Sequence, residues 1–294
     1  MIAAMSAVMI ALVVFIHLPL TDQPWGVWWR RWGVDGICRL AVPWFYLASG
    51  AVFARHIGES EGWYGREVRK RVGSLLVPCF ILNLIWLPVM MTCNWIGAKY
   101  FGQELVVKAN WAWVIRGLGL SPFAWPIDVP TWFLRSLFVV VVLMGLIAVG
   151  LRIKATDRGK KIGVAAVLWT AYLIQCCICT SPRANAFFEF AVSLQGLALF
   201  ATGILLSPLL LSKEPCPGDA AFRSFTWSVL VLHAPILSVL TMPFKALGWF
   251  NRSFSTPPRY LLLWLTVLVL SAVLGHLLHI SRLRRLFPDR VKSN

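Results

Sequence analysis

The chain has 294 residues, 59% of them hydrophobic and only 14% charged, with a mean hydropathy of +0.72. So large an apolar share excludes a soluble globular domain. Repeated apolar runs long enough to cross a hydrocarbon core of about 30 Å, which takes about 20 helical residues, predict an all-α, polytopic membrane helix bundle. The formal charge of +16 invites a nucleic-acid partner. The Lys and Arg residues, however, sit in short clusters between apolar runs, where membrane proteins carry their topology signal, so no nucleic acid is expected and membrane lipids are.

Eight spans are predicted in chain order, at about 2–20, 37–54, 72–93, 131–151, 162–180, 187–211, 225–243 and 260–280. The first, MIAAMSAVMIALVVFIHLPL, lacks a basic leader and a small-x-small cleavage site, and reads as a retained helix. Segment 94–130 carries Trp95, Trp111, Trp113 and Trp125 among three basic residues, which suits a loop with an interfacial helix. With no internal repeat and no low-complexity linker, 1–294 reads as one domain with a basic tail at 281–294. The segments 54–71, 152–161, 212–223 and 281–294 hold 17 Lys and Arg, against nine in the alternate set. That bias places both termini, and the tail, in the cytoplasm.

Seven cysteines are present. Cys176, Cys177 and Cys179 crowd one span with no second Cys/His pair to complete a zinc site, so they read as small buried apolar side chains and no metal is expected.

Several residues stand out against this background. His17, in FIHLPL, is ionisable at the outer end of the first span, and a histidine can take a proton from a hydroxyl near neutral pH. It could equally be an interfacial histidine bonded to a headgroup. Arg39 leads RLAVPWFYLASG at similar depth in the second span. A permanent charge there needs a polar cavity or partner, or it snorkels to the interface. Pro43 is expected to bend or loosen that helix, and Ser49-Gly50 to permit close packing. Arg66, Arg69, Lys70 and Arg71, in GREVRKRVGSLLVP, form a basic cluster just inside the membrane. It suits the phosphates of a cytoplasmic cofactor, or simply anionic lipid. Trp132, with Phe133, reads as an interface anchor, and Arg135 one turn deeper needs a partner. His233, mid-span in S224-FTWSVLVLH233-AP, lies two residues before Pro235. It is either functional or bonded to a carbonyl that the proline leaves free. His276 and His279, beside the basic tail, read as interfacial.

Four of these segments, in order, resemble the membrane acyltransferase-3 family: VMIALVVFIH17, R39-LAVPWFYLASG, WFLRSLFVV (132–140) and S224-FTWSVLVLH233-AP. The stretch RKRVGSLLVP also fits the basic start and proline of that family's third helix. The resemblance covers most of 1–150 and 220–285, and between them the chain matches only as hydrophobic helix. It implies an integral membrane O-acyltransferase that moves an acyl group, usually acetyl, from cytoplasmic acetyl-CoA to a hydroxyl of a glycan or lipid-linked saccharide. The expected location is the inner membrane of a bacterial envelope, with glycan-assembly proteins as partners. It further implies His17 as the essential histidine, Arg39 as a site residue, and Arg69 and Arg71 near the donor, with Ser224 and His233 in a further motif. Family members usually have about ten helices and this chain shows eight, the missing pair falling between LLLSKEPCPGDAAF and the SFTW helix. Arg135 stands where the family commonly has an apolar or aromatic residue. A transporter or flippase lined by Arg39, Arg135 and His233, and a non-catalytic scaffold for glycan assembly, are the alternatives.

Overall fold

The computed structural model describes residues 1–18, 24–101, 131–178, 192–211, 218–247 and 256–280, with isolated positions at 111, 115, 249 and 253. Every regular element among them is helical. The helices are α1 (Ile2–His17), α2 (Pro24–His56), α3 (63–101), α4 (Trp132–Gly150), α5 (Arg158–Ile178), α6 (Leu194–Leu210), α7 (Asp219–Ala246) and α8 (Pro257–Ile280). Among the described residues six are long and apolar enough to cross a membrane, and α1 and α6 are shorter apolar helices. The eight expected spans are therefore present, but several start or stop elsewhere. The α2 helix begins at Pro24, where a loop was expected. The α3 helix takes in the basic cluster at one end and part of the expected 94–130 loop at the other. The remainder of that loop, apart from 111 and 115, and the 281–294 tail lie outside the described residues.

Local sequence explains the boundaries. The α1 helix ends at His17 because Leu18 precedes Pro19 and is held extended, at φ −64° and ψ 129°. Pro24 opens α2 at the one helical position where its missing N–H costs nothing. Gly62, at φ 70°, makes the left-handed turn into α3 that other residues adopt only with strain. Proline also shapes the two helices that depart from α geometry. In α2 a π stretch, Arg30–Ile37, and a 3-10 turn, Cys38–Leu40, come just before Pro43. In α3 a π turn, Val72–Leu76, comes just before Pro78. Each proline withdraws an N–H from the carbonyl four residues back and crowds it, so the ladder loosens there. The expected loosening at Pro43 is found on its N-terminal side.

Two cores share α2. Its first part sends Cys38 and Ala41 into a cluster with Ile10, Val14, Val229 and Val267 of α1, α7 and α8. Its second part sends Tyr46 and Phe53, with Ile57 just past its end, into a cluster with Leu75, Val140, Val141, Phe200 and Ile204 of α3, α4 and α6. Phe45 and Leu230 touch both. Between α2 and α6 the backbones themselves meet: a Cβ on Gly50 would strike the Phe200 carbonyl, and one on Gly203 the Leu47 carbonyl. The close packing expected at Gly50 is thus present. Polar ties fix the remaining registers. Trp44 Nε1 donates to Ser6 Oγ (3.1 Å), the Tyr46 hydroxyl to Ser136 Oγ (2.7 Å), Trp169 Nε1 to Thr202 Oγ1 (3.0 Å) and Trp264 Nε1 to the Ala11 carbonyl (2.9 Å).

Apolar side chains also cover the outside. Leu262, Leu265, Val269 and Leu277 of α8 and Val167, Leu173 and Ile178 of α5 are exposed, as lipid-facing residues must be. Cys176 and Cys177 share this exposure and are free, which corrects the expectation that they are buried in protein. They lie on a flank of α5 where lipid replaces protein as the apolar neighbour.

Gly50→Ala and Gly203→Ala are each expected to lower the unfolding temperature of the detergent-solubilised protein, since overpacking costs about 1–3 kcal/mol. Gly163→Ala, with open space around it, is expected to be neutral or stabilising by about 0.5–1 kcal/mol. Thermal unfolding of the three variants checks the crossing, which is wrong if all three behave alike.

Candidate functional site

His17 and His233 are brought together. The α1 helix packs along α7 through Ile10, Val13 and Val14, and this carries the last residue of α1 to the middle of α7. The two imidazole rings lie 5.2 Å apart between centroids, inclined at 44°. His233 is fully buried and His17 half-buried. His233 Nδ1 lies 2.7 Å from the Val229 carbonyl oxygen. A carbonyl can only accept, so Nδ1 is the protonated nitrogen of the neutral ring. Beside the pair stands an aromatic collar: Phe15 stacks on Trp264 at 4.5 Å and meets Trp29 at 5.5 Å, and Trp25 meets Tyr260 at 5.3 Å.

Arg39 is placed differently. Its side chain is 71% exposed and its Nη2 pairs with Asp35 Oδ1 at 2.9 Å, one turn back. Cys38 and Ala41 take the inward positions around it. No hydrogen bond joins Arg39 to His17 among the described residues. Sequence reasoning passed over Asp35, although the four-residue spacing in D35-GIC-R39 was a readable signal.

The basic cluster divides into committed and uncommitted cations. Arg71 is buried and its Nε donates to Glu67 Oε1 at 2.6 Å, while Lys70 Nζ lies 3.7 Å from Glu67 Oε2. Arg66 donates to the Glu61 carbonyl (2.8 Å) and to Ser60 Oγ. Arg69 is exposed and has no ion pair or hydrogen bond among the described residues. Glu67 was the residue missed here: the cluster was read for its cations, and the carboxylate at its centre organises two of them.

Near the start of α4, Trp132 is half-buried and meets Phe133 edge-on at 6.2 Å, and Phe133 meets Tyr46 at 5.1 Å. Trp132 therefore packs against the core as well as standing at a helix end. Arg135 is half-buried with Cys79 as an electrostatic neighbour. Beside it Asn83, fully buried, donates through Nδ2 to the Cys79 carbonyl (2.8 Å) and to Thr131 Oγ1 (2.7 Å). This polar group, which binds α3 to the start of α4, was not anticipated from the sequence. Ser224 is exposed near the start of α7, lining a small recess with Trp227, Ser228 and Gly275. It stands about 14 Å from His233 along the helix axis, so the two do not share a site.

The Acyltransferase domain family, acyltransferase-3, matches residues 4–215. The match covers well over half of the chain, which therefore belongs to this family and is a multi-pass membrane acyltransferase. No curated protein and no solved structure matches. The match takes in α1 to α6, with His17, Arg39, the α3 cations and Arg135. It includes the stretch after 150 that had looked like mere hydrophobic helix, and it stops short of α7 and His233.

Glu67→Ala leaves Arg71 buried without its partner and is expected to destabilise the protein by about 3–5 kcal/mol. Glu67→Leu combined with Arg71→Leu is expected to recover most of that loss, and Arg69→Ala to stay within about 0.5 kcal/mol of the parent. Thermal unfolding in detergent reads all three.

Proposed function

We propose that residues 1–294 form one membrane O-acyltransferase domain that moves an acetyl group from cytoplasmic acetyl-CoA to a hydroxyl of a cell-envelope or exported glycan, with His17 as general base. The observation that carries this reading is the separation of two unlike sites along α2. A histidine pair lies beside its start, and an exposed, uncommitted Arg69 lies just past its end, at the beginning of α3. The excess of Lys and Arg on alternate connections supports placing Arg69 on the cytoplasmic side, where acyl-CoA is available, in a bacterial inner membrane.

In this reading Arg69, with the exposed Lys70 and Arg66, holds the phosphates of the donor, as arginine's fork of donors suits. Arg71 is spent on Glu67 and acts by fixing the helix that presents Arg69. The thioester reaches along the bundle to His17. There His17 takes the proton of the acceptor hydroxyl as its oxygen attacks the thioester carbonyl. The C–S bond breaks, and the departing thiolate receives the proton back from His17. Arg39 uses one nitrogen on Asp35. Its remaining N–H groups are available to the oxygen of the acyl carbonyl as negative charge develops there. The exposed Trp28 and Trp32, near the start of α2, offer flat apolar faces to a saccharide acceptor.

His17→Ala is expected to reduce O-acetylation of envelope glycans, read by NMR at equal protein level, by about 10²–10⁴-fold. Arg69→Ala is expected to weaken acetyl-CoA binding to the purified protein about tenfold or more, the loss of one charge-assisted hydrogen bond. Unchanged acetylation in the first variant removes His17 as base. Unchanged binding in the second moves the donor site elsewhere.

A further inference from the structure

His233 is the buried titratable group that the scheme above leaves idle, and its bond to the helix backbone satisfies only one of its two ring nitrogens. Pro235 withdraws an N–H from the Val231 carbonyl four residues back, but that carbonyl lies two residues before His233, where a helical side chain does not reach. Instead its Nδ1–H goes to Val229, whose carbonyl a regular helix already uses. The consequence of that bond lies on the opposite edge of the ring. With Nδ1 carrying the hydrogen, Nε2 holds a lone pair. It is fully buried and has no hydrogen-bond partner among the described residues. An acceptor left in that state costs roughly 1–3 kcal/mol. The adjoining polar ring is that of His17. His17 is half-buried at a helix end, whereas His233 is packed on all sides and held by Val229.

We infer that His233 is a positioning residue for His17: its Nε2 accepts the N–H of one His17 nitrogen and so presents the lone pair of the other to the acceptor hydroxyl. The inference rests on His17 acting as base, and it supplies what that role needs. A neutral imidazole has one N–H and one lone pair, and it works as a base only when a fixed acceptor holds the N–H side. When His17 takes the substrate proton, both of its nitrogens carry hydrogen, and the His233 lone pair steadies the one turned away from the substrate. When the proton passes to the thiolate, the pair returns to its starting state. The pairing depends on α7, beyond the part of the chain that matches the family.

Two substitutions separate this role from a structural one. Asn at 233 keeps a donor where Nδ1 stood, for the Val229 carbonyl, and has nothing at the ε position. Gln at 233 restores an acceptor at the ε position and gives up the Val229 bond. Full-length variants in membranes, at equal amounts of folded protein, are supplied with isotopically labelled acetyl-CoA, and label entering envelope glycan is followed at varied donor concentration. His233→Asn is expected to remain folded and to keep its half-saturating acetyl-CoA concentration while its maximal rate falls at least tenfold. His233→Gln is expected to recover a large part of the rate even where it is the less stable of the two. A parental rate in His233→Asn, or a rate in His233→Gln no better than in His233→Asn, overturns the inference. If His17→Ala is inactive while His233→Asn is fully active, only the pairing falls. If His17→Ala is itself active, the reading of His17 as base falls first.

Discussion

Backbone contact between α2 and α6 sets the geometry on which the other helices depend. Within a bilayer there is little hydrophobic gain from pressing one apolar helix against another. Association rests instead on van der Waals contact, which small residues maximise by letting helix axes approach. Gly50 under the Phe200 carbonyl and Gly203 under the Leu47 carbonyl form a reciprocal contact of this kind. It fixes the rotation of α2 as well as its position. With Gly50 turned toward α6, the residues four before and three after share that face, and these are Tyr46 and Phe53, both buried in the α4 and α6 core. Tyr46 then reaches Ser136 across the core and ties α4 to the same frame.

The same stripe, continued backward with regular helical spacing, would put Arg39 seven residues before Tyr46 and on the core face. The 3-10 turn Cys38–Leu40 intervenes. It advances the chain by about 120° per residue instead of about 100°, a rotation of about 60° over three residues. Cys38 and Ala41 meet α1, on a different face from Tyr46, and Arg39 is turned out to Asp35. Pro43, by freeing the Arg39 carbonyl, makes that tighter turn tolerable. The cation stands exposed on that turn, paired with Asp35. The π turn before Pro78 lies between the aqueous, charged start of α3 and its apolar run. Arg71 closes that start with Glu67. A buried ion pair of this sort contributes little net stability but specifies one arrangement of the chain.

Most of the architecture was legible because the bilayer leaves few options. An apolar run of sufficient length must be helical, since its backbone groups have no other partners, and so all eight helices could be named from hydropathy. Their ends were less legible. Trp63–Arg71 and Asp219–Arg223 are polar enough to fall outside a hydropathy window, yet nothing in them stops a helix. The family was readable in R39-LAVPWFYLASG because that run combines a cation, a proline, an aromatic pair and a glycine that a plain span has no use for. The fate of the cations was not readable. Counting Lys and Arg for topology gives carboxylates almost no weight, and the two residues it discounted, Asp35 and Glu67, decide where Arg39, Lys70 and Arg71 go. The meeting of His17 with His233 was also hidden. It comes from helices at opposite ends of the chain, and no local spacing encodes it.

What the fold does at that meeting point is unequal on its two sides. The α1 backbone is over-determined: Pro19 fixes where it ends, Trp44 holds it at Ser6, and Trp264 holds it at Ala11. The ring of His233 is pinned by Val229 and enclosed by the core. Against this, one ring nitrogen is left bare in a dry setting, where an unmet polar atom is most costly. Among the described residues Trp29 Nε1, Ser74 Oγ, Gln175 Oε1 and the Tyr260 hydroxyl are buried without a partner as well, and what sets His233 Nε2 apart is the second imidazole ring beside it, the arrangement of a preorganised pair.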